Sequence, residues 1–209
     1  LRRNGPGTSN IAEGGAFART QQAPDDRCDV QLHFVPALLD DHGRHRLPGY
    51  GYTLHACYLR PRSRGTIRLK SADPAAKAEI RANYLNDAQG HDLATMIEGA
   101  KLSREIFAAA AFDAYRGAEI FPGAETRSDA DLAAFIRRKA ETVYHPVGTC
   151  RMGDEENAVV DSELRVRGIA GLRVVDASVM PCLPGGNTNA PTIMIAERAA
   201  DLIAATQAA

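Results

Sequence analysis

The 209 residues are 44% hydrophobic and 24% charged, with a formal net charge of −1, which fits a globular chain of one large or two small domains. Acidic and basic residues are mixed along the chain, which excludes a nucleic-acid tract or a basic membrane-surface face. No apolar stretch approaches the roughly 20 residues needed to span a bilayer, and Cys28, Cys57, Cys150 and Cys182 are too scattered for a zinc cluster.

Those cysteines fit free thiols in a reducing compartment; the expected location is cytoplasmic, with peripheral membrane association left open. The opening Leu-Arg-Arg-Asn-Gly-Pro-Gly lacks the apolar core of a signal peptide. A leucine start suggests a truncated gene or an excised segment.

Residues 1–27, rich in Gly, Ser, Asn, Gln and Pro, predict a mainly extended loop. From Cys28 to Pro36 apolar and polar residues alternate, the signature of a half-buried strand with His33 on its polar phase. Asp40 to Pro48 is a polar turn whose His42 and His45 are expected to be solvated. Gly51 to Leu59 predicts a second strand, with Thr53, His55 and Cys57 on one face. After Arg62-Ser63-Arg64-Gly65 a third strand, Thr66 to Lys70, is expected, and such close spacing predicts a hairpin or antiparallel sheet. A helix over Asp92 to Ala111 places Leu93, Met96, Ile97, Ala100, Ile106 and Phe107 near a 3.6-residue period. Ser128, with Asp131 three positions on, opens a helix through Lys139 whose stripe is Leu132, Phe135 and Ile136. Gly171 to Asp176 predicts a short strand. A loop, Ala177 to Ala190, then leads to a helix from Thr192 to about Ala205, with Pro191 in its first turn. Strand, loop, helix is how open α/β sheets present functional residues.

Among the chemically active residues, His145 lies between Tyr144 and Pro146, with Gly148 allowing a close turn. An imidazole with a pKa near ~6.5 suits proton removal at neutral pH. Taken alone, a lone histidine is more often structural than catalytic. Cys150 and Cys182 raise the alternative of a thiol hydrolase, but no oxyanion loop or orienting third group accompanies them.

Three ordered tracts narrow the choice. Tyr144-His145-Pro146-Val147-Gly148-Thr149-Cys150-Arg151-Met152-Gly153, then Gly171 to Ser178, then Asn187-Thr188-Asn189-Ala190-Pro191-Thr192 resemble the closing third of the glucose-methanol-choline (GMC) family of flavin-dependent alcohol oxidoreductases. The resemblance is strongest over 141–204. It extends to Ser9-Asn10-Ile11-Ala12-Glu13-Gly14-Gly15, to Leu32-His33-Phe34 and to Arg62-Ser63-Arg64-Gly65, and is closest to bacterial choline and aliphatic-alcohol dehydrogenases. It implies an α+β fold: an antiparallel sheet with covering helices, the family's substrate domain, over 1–150. Residues 151–209 would form a strand-loop-helix segment returning to an α/β FAD domain.

The resemblance also implies roles. His145 is expected to be the base and Asn187 to hold the alcohol oxygen, since an amide cannot take up a proton near neutrality. Asp176 and Ala177 would lie beside the ribityl and phosphate region of FAD, with Thr188 and Asn189 facing the isoalloxazine. The substrate is expected to be a primary alcohol oxidised to an aldehyde by hydride transfer to flavin N5. The expected electron acceptor is quinone-like or dye-like and not oxygen, and no metal or nucleic acid is expected. Choline would need an aromatic and acidic ammonium site, so with no Trp, six Tyr and six Phe another aliphatic or aromatic alcohol is equally compatible.

The Gly-x-Gly-x-x-Gly turn that cradles a dinucleotide pyrophosphate is absent from these residues. The expectation is therefore that the FAD-domain segment is missing and the isolated chain is inactive. The alternative is a non-catalytic binding or assembly module that depends on a separate FAD-bearing chain.

Overall fold

The structure, a computed structural model, describes residues 4–207. It divides into two compact units, Leu1–Arg64 with Asn83–Glu141, and Gly65–Ala82 with Thr142–Ala209.

In the first unit, β1 (Gly14–Ala18), β2 (Val30–Val35) and β3 (Thr53–Tyr58) form an antiparallel sheet in that order. The register puts Ala16 beside Leu32 and Leu32 beside Ala56. The central strand is the most deeply buried, with Val30 and Leu32 at 0% and 2% exposure. Strand β1 lies inside the stretch expected to be loop. Its Gly-Gly-Ala-Phe-Ala sequence has no apolar alternation, so only pairing with β2 makes it a strand.

Helix α1 (His91–Ala108) packs on the face that carries Val30 and Ala56. Gly99 permits the approach, because a Cβ there would sit 3.0 Å from the Ala56 Cβ. The buried line of α1 is Asp92, Thr95 and Gly99, while the predicted apolar positions flank it half-buried. The Asp87 carboxylate starts the helix by accepting the His91 and Asp92 N–H groups at 2.8 and 3.0 Å. It ends three residues before the expected Ala111, where Ala109 turns extended and a 3-10 turn, Ala110–Phe112, follows. Phe34, Tyr52, Phe107 and Phe112 close that end as one aromatic cluster.

The third predicted strand does not join this sheet. The buried Asp92 carboxylate accepts the N–H groups of Arg62 and Ser63 at 2.8 and 2.9 Å, fixing the chain in a turn. In the second unit, β4 (Thr66–Arg68) then pairs with β5 (Glu79–Arg81) as a two-stranded ribbon.

Helix α2 (Asp129–Lys139) starts at the predicted N-cap. Ser128 Oγ accepts the Asp131 N–H, and the Asp131 carboxylate accepts the Ser128 N–H. The buried stripe, Leu132 and Ile136, is the expected one. Arg104 on α1 pins the 119–126 loop through Glu119 and the carbonyls of Gly123 and Thr126. His45 is exposed and paired with Asp40. His42 is an exposed residue, as expected, and its ring lies 3.1 Å from Glu141.

The core of the second unit is Val160, Leu164, Val179, Met180, Ile195 and Ala199. Helix α3 (Asn189–Gln207) contributes the last two and begins three residues before the expected Thr192, with Pro191 in its first turn. The predicted strand Gly171 to Asp176 is reduced to one bridge, Arg165 to Arg173. Val166 N–H to Leu172 O (2.9 Å) and Val174 N–H to Leu164 O (3.1 Å) flank it. The segment is extended, but its partner turns away at Leu164 (φ 63) and Gly168 (φ 78), so no longer ladder forms.

Candidate active site

Every residue expected to carry chemistry lies in the second unit. His145 is half-buried and the chain on either side of it is fixed. Before it, Tyr144 takes a left-handed φ of 63°, with its N–H held by Thr142 Oγ1 at 3.0 Å. After it, Pro146 is followed by Val147, which packs on the core, and by Gly148 at φ 88°. A Cβ at Gly148 would meet Met180 O at 3.4 Å.

The tract then pairs with the turn that follows Asp176. Cys150 N–H donates to Ser178 O at 3.0 Å and Met152 N–H to Val179 O at 2.8 Å. Asp176 caps that 3-10 turn, Ala177–Val179, by accepting the Ser178 N–H at 2.7 Å, and Ala177 packs half-buried on the core. The histidine tract is therefore hydrogen-bonded to Ser178 and Val179, in the turn that Asp176 caps.

The other three residues stand together at the start of α3. Asn187 and Asn189 are exposed, and Thr188 is buried at 8% exposure. Thr188 O accepts both the N–H and the hydroxyl of Thr192, at 3.0 and 2.7 Å, which locks the first turn. The first amides of a helix have no intrahelical carbonyl, and the macrodipole adds partial positive charge there. The end of α3 at Asn189 thus favours an anionic group.

Sequence reasoning missed Asp161. Its carboxylate accepts the N–H groups of Glu163 and Arg165 at 2.8 and 2.9 Å. The backbone donors, Arg165 first, hold its pKa below the ordinary carboxylate range against the opposing effect of burial. It fixes the turn after the buried Val160. An acid followed two and four positions later by its donors was the available signal. Asp92, whose donors lie some thirty residues away, left none.

The family model for GMC oxidoreductase matches residues 61–196, and the chain belongs to that family. An alcohol dehydrogenase [acceptor] from Pseudomonas putida is 53% identical over 97% of this chain and 36% of its own length. An oxygen-dependent choline dehydrogenase from Paraburkholderia phymatum is 44% identical over 97% of this chain and 35% of its own. A formate oxidase from Aspergillus oryzae RIB40, solved to follow the effect of a mutation on FAD modification, superposes with a TM-score of 0.80. It is 29% identical, covering 88% of this chain and 32% of that one. The chain spans about a third of the length of the relatives it matches. Among the described residues, no helix is long and apolar enough to cross a membrane.

Proposed function

We propose that this chain is the substrate-oxidising, carboxyl-terminal part of an FAD-dependent dehydrogenase that converts a primary alcohol to an aldehyde. The observation that carries the reading is the fixed setting of His145, whose tract is bonded through Cys150 and Met152 to the turn capped by Asp176. A base held by its backbone loses little entropy when a substrate arrives.

In this reading a ring nitrogen of His145 takes the hydroxyl proton, leaving an imidazolium beside the oxygen. The Asn187 side-chain N–H donates to that oxygen and holds it as negative charge develops. FAD, when bound, supplies the acceptor for the hydride of the α-carbon. Ala177 and Asp176, at the capped turn, and Thr188 and Asn189, at the amino end of α3, would hold one edge of it. The positive end of α3 suits the charge of a reduced flavin. These residues fit that edge alone, and the pyrophosphate turn would come from residues outside this sequence. We therefore expect these 209 residues by themselves to be inactive. A quinone-like or dye-like electron acceptor goes with this reading, as does a cytoplasmic location.

The test is rapid-mixing flavin reduction by primary alcohols in the protein at the length its native cell makes. His145→Ala should slow reduction on the order of 10²–10⁴-fold with flavin content unchanged. Reduction at the wild-type rate would remove His145 from the reaction. A native protein of this length alone, with no flavin, would favour the assembly module.

A further inference from the structure

We propose that Asp41, His42 and Glu141 form a binding site for a divalent transition-metal cation of the zinc type. The three side chains come from two segments of the first unit, the turn between β2 and β3 and the residue two past the end of α2. Each offers one ligand atom, and all three atoms lie within 4.8 Å of one another. His42 Nε2 and Glu141 Oε2 are 3.1 Å apart. Two donors bound to one tetrahedral zinc stand about 3.3 Å apart, so this pair already has the spacing of a shared metal. Rotation of the exposed Asp41 side chain completes the set.

The scaffold is built independently of the three ligands. Asp41 and His42 both take left-handed φ values, 45° and 55°, a region that aspartate and histidine enter more readily than most non-glycine residues. The turn is closed by Gly43 N–H and His45 N–H to Asp40 O and by Arg44 N–H to Asp41 O. Asp40, 8% exposed, ties the turn to α2 through Lys139 Nζ at 2.6 Å, and it also pairs with His45 Nδ1 at 2.7 Å. Lys139 is the last residue of α2, so the ion pair that anchors the turn also presents Glu141 to it. Backbone bonds of the turn and the Asp40–Lys139 pair thus help hold the three ligands near one another.

Donor chemistry selects the ion. Two carboxylates and a neutral imidazole balance a charge of +2, and the imidazole nitrogen favours zinc, cobalt or nickel over calcium or magnesium. The competing cation is Arg44, 3.2 Å from the Asp41 carboxylate and largely solvated; such surface pairs are worth about 0–1 kcal/mol. Three protein ligands leave a fourth position for water. Bound there, the ion would cross-link the β2–β3 connection to the end of α2.

The experiment is zinc titration by calorimetry of the chelator-dialysed protein at its native length, with magnesium as the comparison ion. Cobalt titration, read by its visible d–d absorption, reports ligation directly. The expected result is micromolar or tighter zinc binding with a stoichiometry that falls by one in both His42→Ala and Glu141→Gln. It should stay unchanged in His45→Ala, which removes a neighbouring histidine outside the set. Zinc should raise the melting temperature of the wild type and leave His42→Ala unmoved. Circular dichroism confirms that each variant is folded; all three side chains are at the surface. Equal zinc stoichiometry and affinity in wild type and His42→Ala, or no zinc uptake by the wild type at micromolar concentrations, overturns the proposal.

Discussion

Replacing Gly148 by alanine tests whether the backbone around His145 is as fixed as its bonding suggests. Gly148 has a φ of 88°, beyond the small left-handed basin open to L-residues. A side chain there costs about 1–2 kcal/mol. The lower entropy of the unfolded alanine chain returns about 0.4–1 kcal/mol. The new methyl adds little, since its nearest neighbour, Met180 O, would lie at 3.4 Å, an ordinary contact. The net loss is roughly 1 kcal/mol. Gly168, at φ 78° with nothing within 4 Å of a built Cβ, is the matched control. Urea unfolding should lower the midpoint of both variants by similar amounts with the slope unchanged. Only Gly148→Ala should slow flavin reduction by alcohol, because relaxing its φ displaces a tract whose His145 lies three residues back. If the two variants lose equal stability and neither slows, the coupling of backbone to base is wrong. If Gly148→Ala loses nothing, the strain argument fails.

Asp92→Ala would strand the N–H groups of Arg62 and Ser63, which its buried carboxylate now accepts. At about 1–3 kcal/mol per orphaned donor, a loss of roughly 2–6 kcal/mol is expected by denaturant titration, and a loss below about 0.5 kcal/mol would show that water replaces the carboxylate. Ser128→Ala should remove about 1 kcal/mol by deleting the α2 cap, while Arg127→Ala, one residue before the cap, serves as its control. Burial, and next the proximity of His33, push the His55 pKa below the ordinary histidine value, with Glu141 opposing. A lowered folded pKa means the unfolded chain binds the proton first. Stability is then complete above about 6.5 and falls as pH drops toward the folded value. His55→Gln should flatten that acid slope; an unchanged slope in stepped-pH unfolding would reject the assignment.

Where neighbours in sequence decide the structure, the chain could be read directly. Ser128 and Asp131 close a capping box three residues apart, and Leu132 and Ile136 of α2 are buried as their spacing indicates. The alternation in β2 and β3 located both strands to within two residues. What failed was long-range. Strand β1 exists because β2 pairs with it, and α1 buries Asp92, Thr95 and Gly99 because Gly99 lets it settle on Ala56. The Asp92 carboxylate also holds Arg62 and Ser63 in a turn, and the third strand pairs with β5 and not with the sheet. No window of ten residues contains these partners. For the candidate site, order along the chain singled out His145, Asp176 and Asn187. The bonds from Cys150 and Met152 to the 178–179 carbonyls, which explain why the first two belong together, required the fold.

The distribution of backbone strain bears on why His145 is held as it is. Tyr144 is not glycine, yet it takes φ 63° immediately before the histidine, a conformation that costs about 1–2 kcal/mol. Such a residue persists when its surroundings over-determine it. Here Thr142 Oγ1 accepts its N–H, Pro146 restricts the histidine itself, and Val147 packs on the core. Three separate constraints within six residues exceed what turning the chain requires, since a glycine at 144 would turn it without the strain. The same segment then spends Gly148 and two backbone hydrogen bonds to reach the turn capped by Asp176. In the proposed role, these same constraints hold the base where it must meet its substrate.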